Sequence, residues 1–275
     1  MVVAVDLGGT NIRTGLQSGG SIIEQSRVSL KAKDSLDDTL EQIKDLIRPY
    51  VRGGVKGIGV GVPSIVDVEN GIVFNVVNIP SWERVELKAI LEKEFRLPVW
   101  VNNDVNCFVL GEHRYGIASP FRSFVGLTLG TGLGSGIIIN NDLYMGANCG
   151  AGEIGYLPYL DKNLEYYCSS AFFNECHKTS ALETFENAGK GDSQALKIWK
   201  EFGIHMGNAV KSVLYTFDPE AVVIGGSISK AYRYFEPSMR EEMRDFLFPG
   251  SLAKLKLLQS VNENIQLLGA AALVK

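Results

Sequence analysis

The sequence predicts an α/β fold of two similar lobes, and three patterns carry that expectation. A buried strand, a glycine turn and a second strand open the chain as "VVAVD", "LGGTN" and "IRTGL". The same pattern returns at Ser123 as "SFVGLTL", "GTGLGSG" and "IIIN". Around these hairpins, strand-like runs alternate with apolar residues at helical spacing, as α/β proteins require. No low-complexity linker separates the halves, so two lobes in contact are expected and not two independent domains. The expected lobes are residues 1–115 and 116–265, with a final helix at about 266–275 packing back on the first.

The elements follow in order. Gly19 and Gly20 turn the chain into a third segment, "SIIEQSRVSL". A helix comes next, because Leu36, Leu40, Ile43, Leu46, Ile47 and Tyr50 recur at helical spacing and Ser35 with Asp38 makes a capping box. "VKGIGVGVP" reads as a buried strand, and a second helix spans Glu86 to Phe95. "LPVWVNND" is a strand ending in polar residues, followed by the helical "VNCFVLGEHRYG". After the second hairpin a turn at Asn140 to Asp142 leads into "LYMG". The remainder gives a long helix from Asp192 to Phe217, a buried strand "AVVIGGSI", a helix from Ser229, a strand "AKLKLLQS" and the apolar "LLGAAALV".

Composition excludes several classes. A chain of 275 residues with 45% hydrophobic content can build a sizeable core. Its net charge of −4 argues against a nucleic-acid partner, which needs clustered Lys and Arg. No window approaches about 18 uncharged apolar residues. The start "MVVAVDLGG" carries no basic n-region or cleavage pattern, so a cytoplasmic protein with no membrane partner is expected. Cys107, Cys149, Cys168 and Cys176 contain no CxxC pair and read as reduced, mostly buried thiols. Cys168, Cys176 and His177 match no common four-ligand zinc spacing.

The chemistry concentrates at the glycine loops and at a few carboxylates. "DLGGTN" and "LGTGLGSGII" each place glycine and threonine after a buried strand, where backbone N–H groups can face a phosphate. Neither is a Walker A motif or a dinucleotide fingerprint, and a plain β-hairpin turn explains either one alone. Gly225 and Gly226 end a strand, admitting a base or ribose close to the backbone or serving only as turn chemistry. Asp104, at a strand terminus between Asn103 and Asn106, reads either as a general base for a hydroxyl or as the cap of the next helix. Asp6 reads as a magnesium carboxylate acting through water, or as a turn cap. Glu153 and Glu165 can each accept two hydroxyl hydrogen bonds. Tyr156, Tyr159, Tyr166 and Tyr167 either pack on a sugar face or fill a core edge.

With these residues in order, the chain resembles the ROK family (repressor, open reading frame, kinase) of bacterial sugar kinases over nearly its whole length. "DLGGTN" and "LTLGTGLGSGI" are similar to the family's phosphate motifs, "GVPSIVD" and "NIPSW" to its sugar-side segments, and "NNDVN" to the segment of its catalytic aspartate. "GAGEIGY" is similar to its ExGH motif and "VVIGG" to its adenosine motif. The resemblance implies an actin-like (ribonuclease H-like) ATPase fold whose two lobes enclose a nucleotide and sugar cleft. It further implies ATP and magnesium as cofactors, a homodimer, and phosphorylation of a glucose-like hexose at its 6-hydroxyl. By resemblance, Asp104 is the general base, and Asn78, Asn103, Asp104, Glu153, Tyr156 and Glu165 contact the sugar. Asp6, Gly8, Gly9, Thr10, Asn11, Thr131, Gly132 and Gly134 serve phosphates, with Asp6 also serving magnesium, and Gly225 and Gly226 serve the adenosine.

Family regulators carry an N-terminal helix-turn-helix domain. Here the phosphate motif begins at residue 6, so the kinase branch is expected. Two departures stand out. Tyr156 occupies the position of the ExGH histidine, and the CxCGxxGCxE zinc motif is missing, with Glu165 of "NLEYYCSS" standing where its glutamate stands. No structural zinc is therefore expected. The sugar stays open among a free hexose, a β-glucoside, allose, fructose and an N-acetylhexosamine, and a non-catalytic sugar sensor is the second reading.

Overall fold

A computed structural model describes residues 1–31 and 33–275 and separates into two units. Met1–Pro120, Asp142–Ala151 and Asn262–Lys275 make the first, Phe121–Asn141 and Gly152–Val261 the second.

In the first unit, β1 (Val2–Leu7) pairs antiparallel with β2 (Asn11–Ser18), and β3 (Ser21–Ser29) extends the edge. β4 (Ile58–Val62) runs parallel to β1, buried along its whole length as a central parallel strand must be. A small antiparallel sheet of β5 (Ile65–Asp67), β6 (Ile72–Phe74) and β7 (Arg84–Val85) follows, built from the "GVPSIVD" region onward. β8 (Val99–Asn103) then completes the main sheet in the order β3-β2-β1-β4-β8. Three helices intervene or follow: α1 (Leu36–Ile47), α2 (Leu87–Phe95) and α3 (Asp104–Tyr115). Ser35 caps α1 by accepting from the Asp38 N–H, as the capping box predicts. In "NIPSW", Ile79 and Trp82 are buried, and Trp82 Nε1 donates to Thr39 Oγ1 on α1 at 2.8 Å. That bond fixes the segment against the sheet and leaves Asn78 exposed.

The helix Ile265–Ala272 belongs to this unit and lies on α3, β1 and β4. Two glycines make the approach possible. A Cβ at Gly59 would overlap the Ala270 carbonyl, and one at Gly269 would overlap the Cys107 carbonyl. Ala4, Cys107, Leu267, Ala270 and Ala271 fill the interface. Arg114 Nη1 closes the far end by donating to the Ala272 carbonyl at 2.9 Å.

β11 (Asp142–Leu143) lies in a segment of the first unit, whereas β9 (Phe124–Leu129) and β10 (Leu133–Ile139) open the second as an antiparallel hairpin. The two-residue strands β12 (Pro158–Tyr159) and β13 (Lys162–Asn163) lead into α4 (Leu164–Cys168), then α5 (Ala181–Gly189) and α6 (Ser193–Phe217). β14 (Ala221–Gly225) runs parallel to β9 and, after α7 (Tyr232–Glu242) and α8 (Pro249–Lys254), β15 (Lys256–Gln259) runs parallel to β14. The order β10-β9-β14-β15 repeats β2-β1-β4-β8 of the first unit, hairpin first and parallel strands after. Phe172, Phe173, Trp199, Phe202 and Phe235 form the aromatic core beneath α6 and α7.

Several boundaries differ from expectation: the helix expected from Ser229 opens as a 3-10 turn over Ile228–Ala231 and becomes α-helical at Tyr232, and the final helix ends at Ala272. In "AKLKLLQS" the first two residues end α8, because Pro249 at the helix start pre-sets a helical φ, and the strand begins at Lys256. Among the described residues no helix is long and apolar enough to cross a membrane.

Candidate active site

The first unit gathers its polar residues at the carboxyl ends of parallel strands, where open α/β sheets place their sites. Asp6 on β1 stands level with Gly61 on β4, and Gly61 with Asn102 on β8. Asp6 is not a turn cap, because its register partner on β2 is Arg13. Arg13 Nε and Nη2 reach Asp6 Oδ2 at 2.9 and 2.6 Å, and the guanidinium also donates to the Glu263 carbonyl and Gln266 Oε1. A charge-assisted bond of this kind fixes the carboxylate firmly.

Asp104 is not the cap of α3 either. Asn103 Oδ1 takes that role, accepting from the Val105 N–H at 2.8 Å and the Asn106 N–H at 3.2 Å. Asp104 becomes the first residue of the helix, half-buried, with Oδ1 2.9 Å from the Val105 nitrogen. Asn103 Nδ2 donates to the Ser64 carbonyl at 3.3 Å, and Asn106 Nδ2 donates to Asn102 Oδ1 at 2.9 Å, so the whole "NNDVN" turn is hydrogen-bonded. Burial pushes the Cys107 thiol well up, and the charges of Asp104 and Asp6 add to that push. Both carboxylates thus act on one buried sulfur.

The first glycine loop is tight. The Gly8 N–H donates to the Asn11 carbonyl at 2.9 Å, and the Thr10 carbonyl accepts from the Leu30 N–H at 2.8 Å. Thr10 is exposed. Asn78 abuts the loop, since a Cβ at Gly9 would lie 2.6 Å from Asn78 Nδ2. The Lys33 ammonium donates to the Gly9 carbonyl.

In the second unit the loop closes with the Gly130 N–H on the Gly132 carbonyl at 3.0 Å, and Thr131 is exposed. Gly134 lies within β10, opposite Thr128. Ser170 braces the loop through its N–H to the Gly130 carbonyl and its hydroxyl to the Thr131 carbonyl. Glu165, in the first turn of α4, also reaches the loop, with Oε2 accepting from the Leu133 N–H at 3.1 Å. Asn163 caps α4 by accepting from the Tyr166 N–H at 2.9 Å.

Glu153, Tyr156 and Glu165 share one neighbourhood. Partial desolvation raises the Glu153 carboxyl, and the nearby Glu165 charge raises it further. The Tyr156 phenol is raised first by Glu165, then by desolvation and Glu153. Tyr156 is 63% exposed. The other three tyrosines pack instead. Tyr167 lies 4.8 Å from the His205 ring and 5.5 Å from Tyr159, whose hydroxyl is 3.1 Å from His205 Nδ1, and Tyr166 stands edge-on to Tyr167. Tyr159, Tyr166 and Tyr167 fill a core edge, and Tyr156 alone of the four stands open beside the carboxylates.

Gly225 ends β14, and Gly226 turns with φ +88°, where a Cβ would overlap the Leu129 backbone. The fold itself requires glycine at 226. Cys168 is buried and Cys176 exposed, while His177 Nε2 lies 3.4 Å from a Glu201 oxygen. Among the described residues no group of three or more His, Cys, Asp or Glu is set to hold a metal ion. Sequence reasoning missed Arg13, Gly61 and Lys33. Arg13 was reachable, since folding the hairpin about "LGGT" sets it opposite Asp6. The roles of Gly61 and Lys33 depend on tertiary neighbours.

Comparison with known proteins bears on these geometries. The ROK family model matches residues 2–275. A glucokinase of Thermotoga maritima is 30% identical, covering 100% of this chain and 97% of its own length. A ROK family glucokinase from Streptomyces griseus, solved with glucose and AMPPNP, aligns with a TM-score of 0.86 at 25% identity, covering 99% of this chain and 98% of that one. A xylose repressor of Bacillus spizizenii is 28% identical over 82% of this chain and 62% of its own length. Duplicated hairpin-and-parallel-strand units with kinase relatives across their full length define a sugar kinase of the actin-like ATPase fold. The chain belongs to the ROK family.

Proposed function

We propose that the protein transfers the γ-phosphoryl group of ATP to a glucose-like hexose at its 6-hydroxyl, with Asp104 as general base. The observation that carries this reading is the capping of α3 by Asn103, which leaves Asp104 as a first-turn carboxylate at the strand ends that also bear Asp6. In the reaction the sugar oxygen forms a bond to the γ-phosphorus, and its proton passes to the Asp104 carboxylate. The bond from phosphorus to the bridging oxygen breaks, and ADP leaves with the electron pair.

Backbone N–H groups of the two glycine loops, with Thr10 and Thr131, suit phosphate oxygens. Asn78, Asn103, Glu153, Glu165 and Tyr156 suit hydroxyls, since between them they offer both acceptors and donors. Asp6, already engaged by Arg13, offers one carboxylate and, among the described residues, no cluster of ligands, a donor set that fits magnesium entering with the nucleotide and keeping most of its water. When bound, that ion neutralises phosphate charge.

A coupled assay of ADP release across glucose, allose, fructose, N-acetylhexosamines and β-glucosides tests the proposal. Glucose should give the highest kcat/KM. Silence with every sugar, despite measurable sugar binding, would favour a sensor. The match to a xylose repressor over most of this chain is the observation behind that second reading.

A further inference from the structure

The first glycine loop carries a cation that the roles above leave without a task. The Lys33 ammonium donates to the Gly9 carbonyl and is half-buried. Its backbone is fixed as well, because the Lys33 carbonyl accepts from the Ser81 N–H at 3.3 Å and from the Ser81 hydroxyl at 2.7 Å. Ser81 lies in "NIPSW", the segment whose Asn78 abuts Gly9. Lys33 is therefore held at its main chain by one side of the loop's surroundings and reaches the loop with its side chain.

The charge balance is informative. The other cation at this loop, Arg13, is committed to Asp6 and to two acceptors before and within the helix Ile265–Ala272. Asp6 and Arg13 cancel. Among the described residues Lys33 meets a neutral carbonyl and no carboxylate, so its charge is uncompensated, and two of its three N–H groups remain for a ligand. An ammonium placed this way is a point charge for phosphate oxygens, in a reaction whose catalysis rests on stabilising those oxygens.

We propose that Lys33 binds the terminal phosphate of the nucleoside triphosphate at the first glycine loop. The proposal rests on the kinase reading above. Its rival is a tether that does no more than hold the Gly9 carbonyl. Lys33→Gln separates the two, because an amide still donates to that carbonyl but carries no charge.

Calorimetric titration with AMPPNP and with AMP, in magnesium, is the test. Lys33→Gln should weaken AMPPNP about ten- to a hundredfold, the range for a hydrogen bond to a charged group. AMP binding and the sugar KM should stay within about threefold of wild type, and Lys33→Arg should recover most of the AMPPNP affinity. Equal AMPPNP binding by wild type and Lys33→Gln would overturn the assignment, as would an equal loss for AMP and AMPPNP. If the wild-type chain itself binds no AMPPNP, the kinase reading fails and this inference with it. Those results differ at the wild-type titration.

Discussion

The two glycine loops follow one strand–turn–strand plan, yet cations grip the first and a carboxylate grips the second. Around the first, Arg13 holds Asp6 and Lys33 holds the Gly9 carbonyl. Around the second, Glu165 accepts the Leu133 N–H and Ser170 braces the turn. The supports differ too. Asp104 starts a twelve-residue helix pressed onto the sheet and onto a second helix through glycine contacts. Glu153 precedes a three-residue turn and Glu165 sits on a five-residue helix, with the exposed Tyr156 between them in the chain. Groups on long regular elements are positioned more exactingly than groups on short ones. The difference teaches that Asp104 is held by backbone packing, while Glu153 and Glu165 stand on short elements whose side chains can be exchanged.

The strongest way to break this comparison is Asp104→Asn, which should lower kcat by about 10²–10⁴, the usual worth of a general base. Sugar binding in the absence of turnover should change little, and a near-normal kcat would remove Asp104 from the chemistry. Next comes the packing that supports it. Gly59→Ala forces a Cβ into the Ala270 carbonyl and should destabilise the chain by about 1–3 kcal/mol in urea titration. Gly150→Ala, with nothing within 4 Å, is the control and should stay within about 0.5 kcal/mol.

In the second unit, Glu165→Ala should raise the sugar KM by about tenfold or more and, by freeing the Leu133 N–H at the glycine loop, the nucleotide KM as well, with a smaller effect on kcat. Glu165→Gln keeps an acceptor for the Leu133 N–H and should restore the nucleotide KM without restoring the sugar KM. If glutamine restored both, the carboxylate charge would have no part in sugar recognition.

The smallest effect is a pH dependence at the aromatic cluster. Burial lowers the His205 pKa below its ordinary 6.5, outweighing the pull of Glu201 and Glu242. A folded-state value below the unfolded one means this group costs nothing above pH 6.5 and destabilises as pH falls through that value, because the unfolded chain binds the proton more readily. The urea midpoint should decline shallowly from pH 7 to 5, and His205→Asn should flatten part of the decline.

Much of this was legible because local rules and the fold agree. Ser35 caps α1 as its capping box says, and the repeated strand–glycine–strand pattern gives two units of the same strand order. What stayed hidden depends on competition between neighbours. Asparagine and aspartate are comparable caps, so nothing local decides between Asn103 and Asp104. The tyrosines after Glu153 divide only once His205, some forty residues on, meets Tyr159 and Tyr167. Gly59 and Gly269 look like ordinary strand and helix glycines until the two elements touch.

That last contact also orders events in time. The face formed by Ala4, Gly59 and Cys107 is covered by residues near 270, so a nascent chain that has already made the hairpin, β4 and α3 still lacks its cover. Synthesis runs from the N-terminus, and long-range closure is slow. The unit that begins first is therefore the last to finish, and an apolar face bearing a free thiol waits uncovered while the other unit is made.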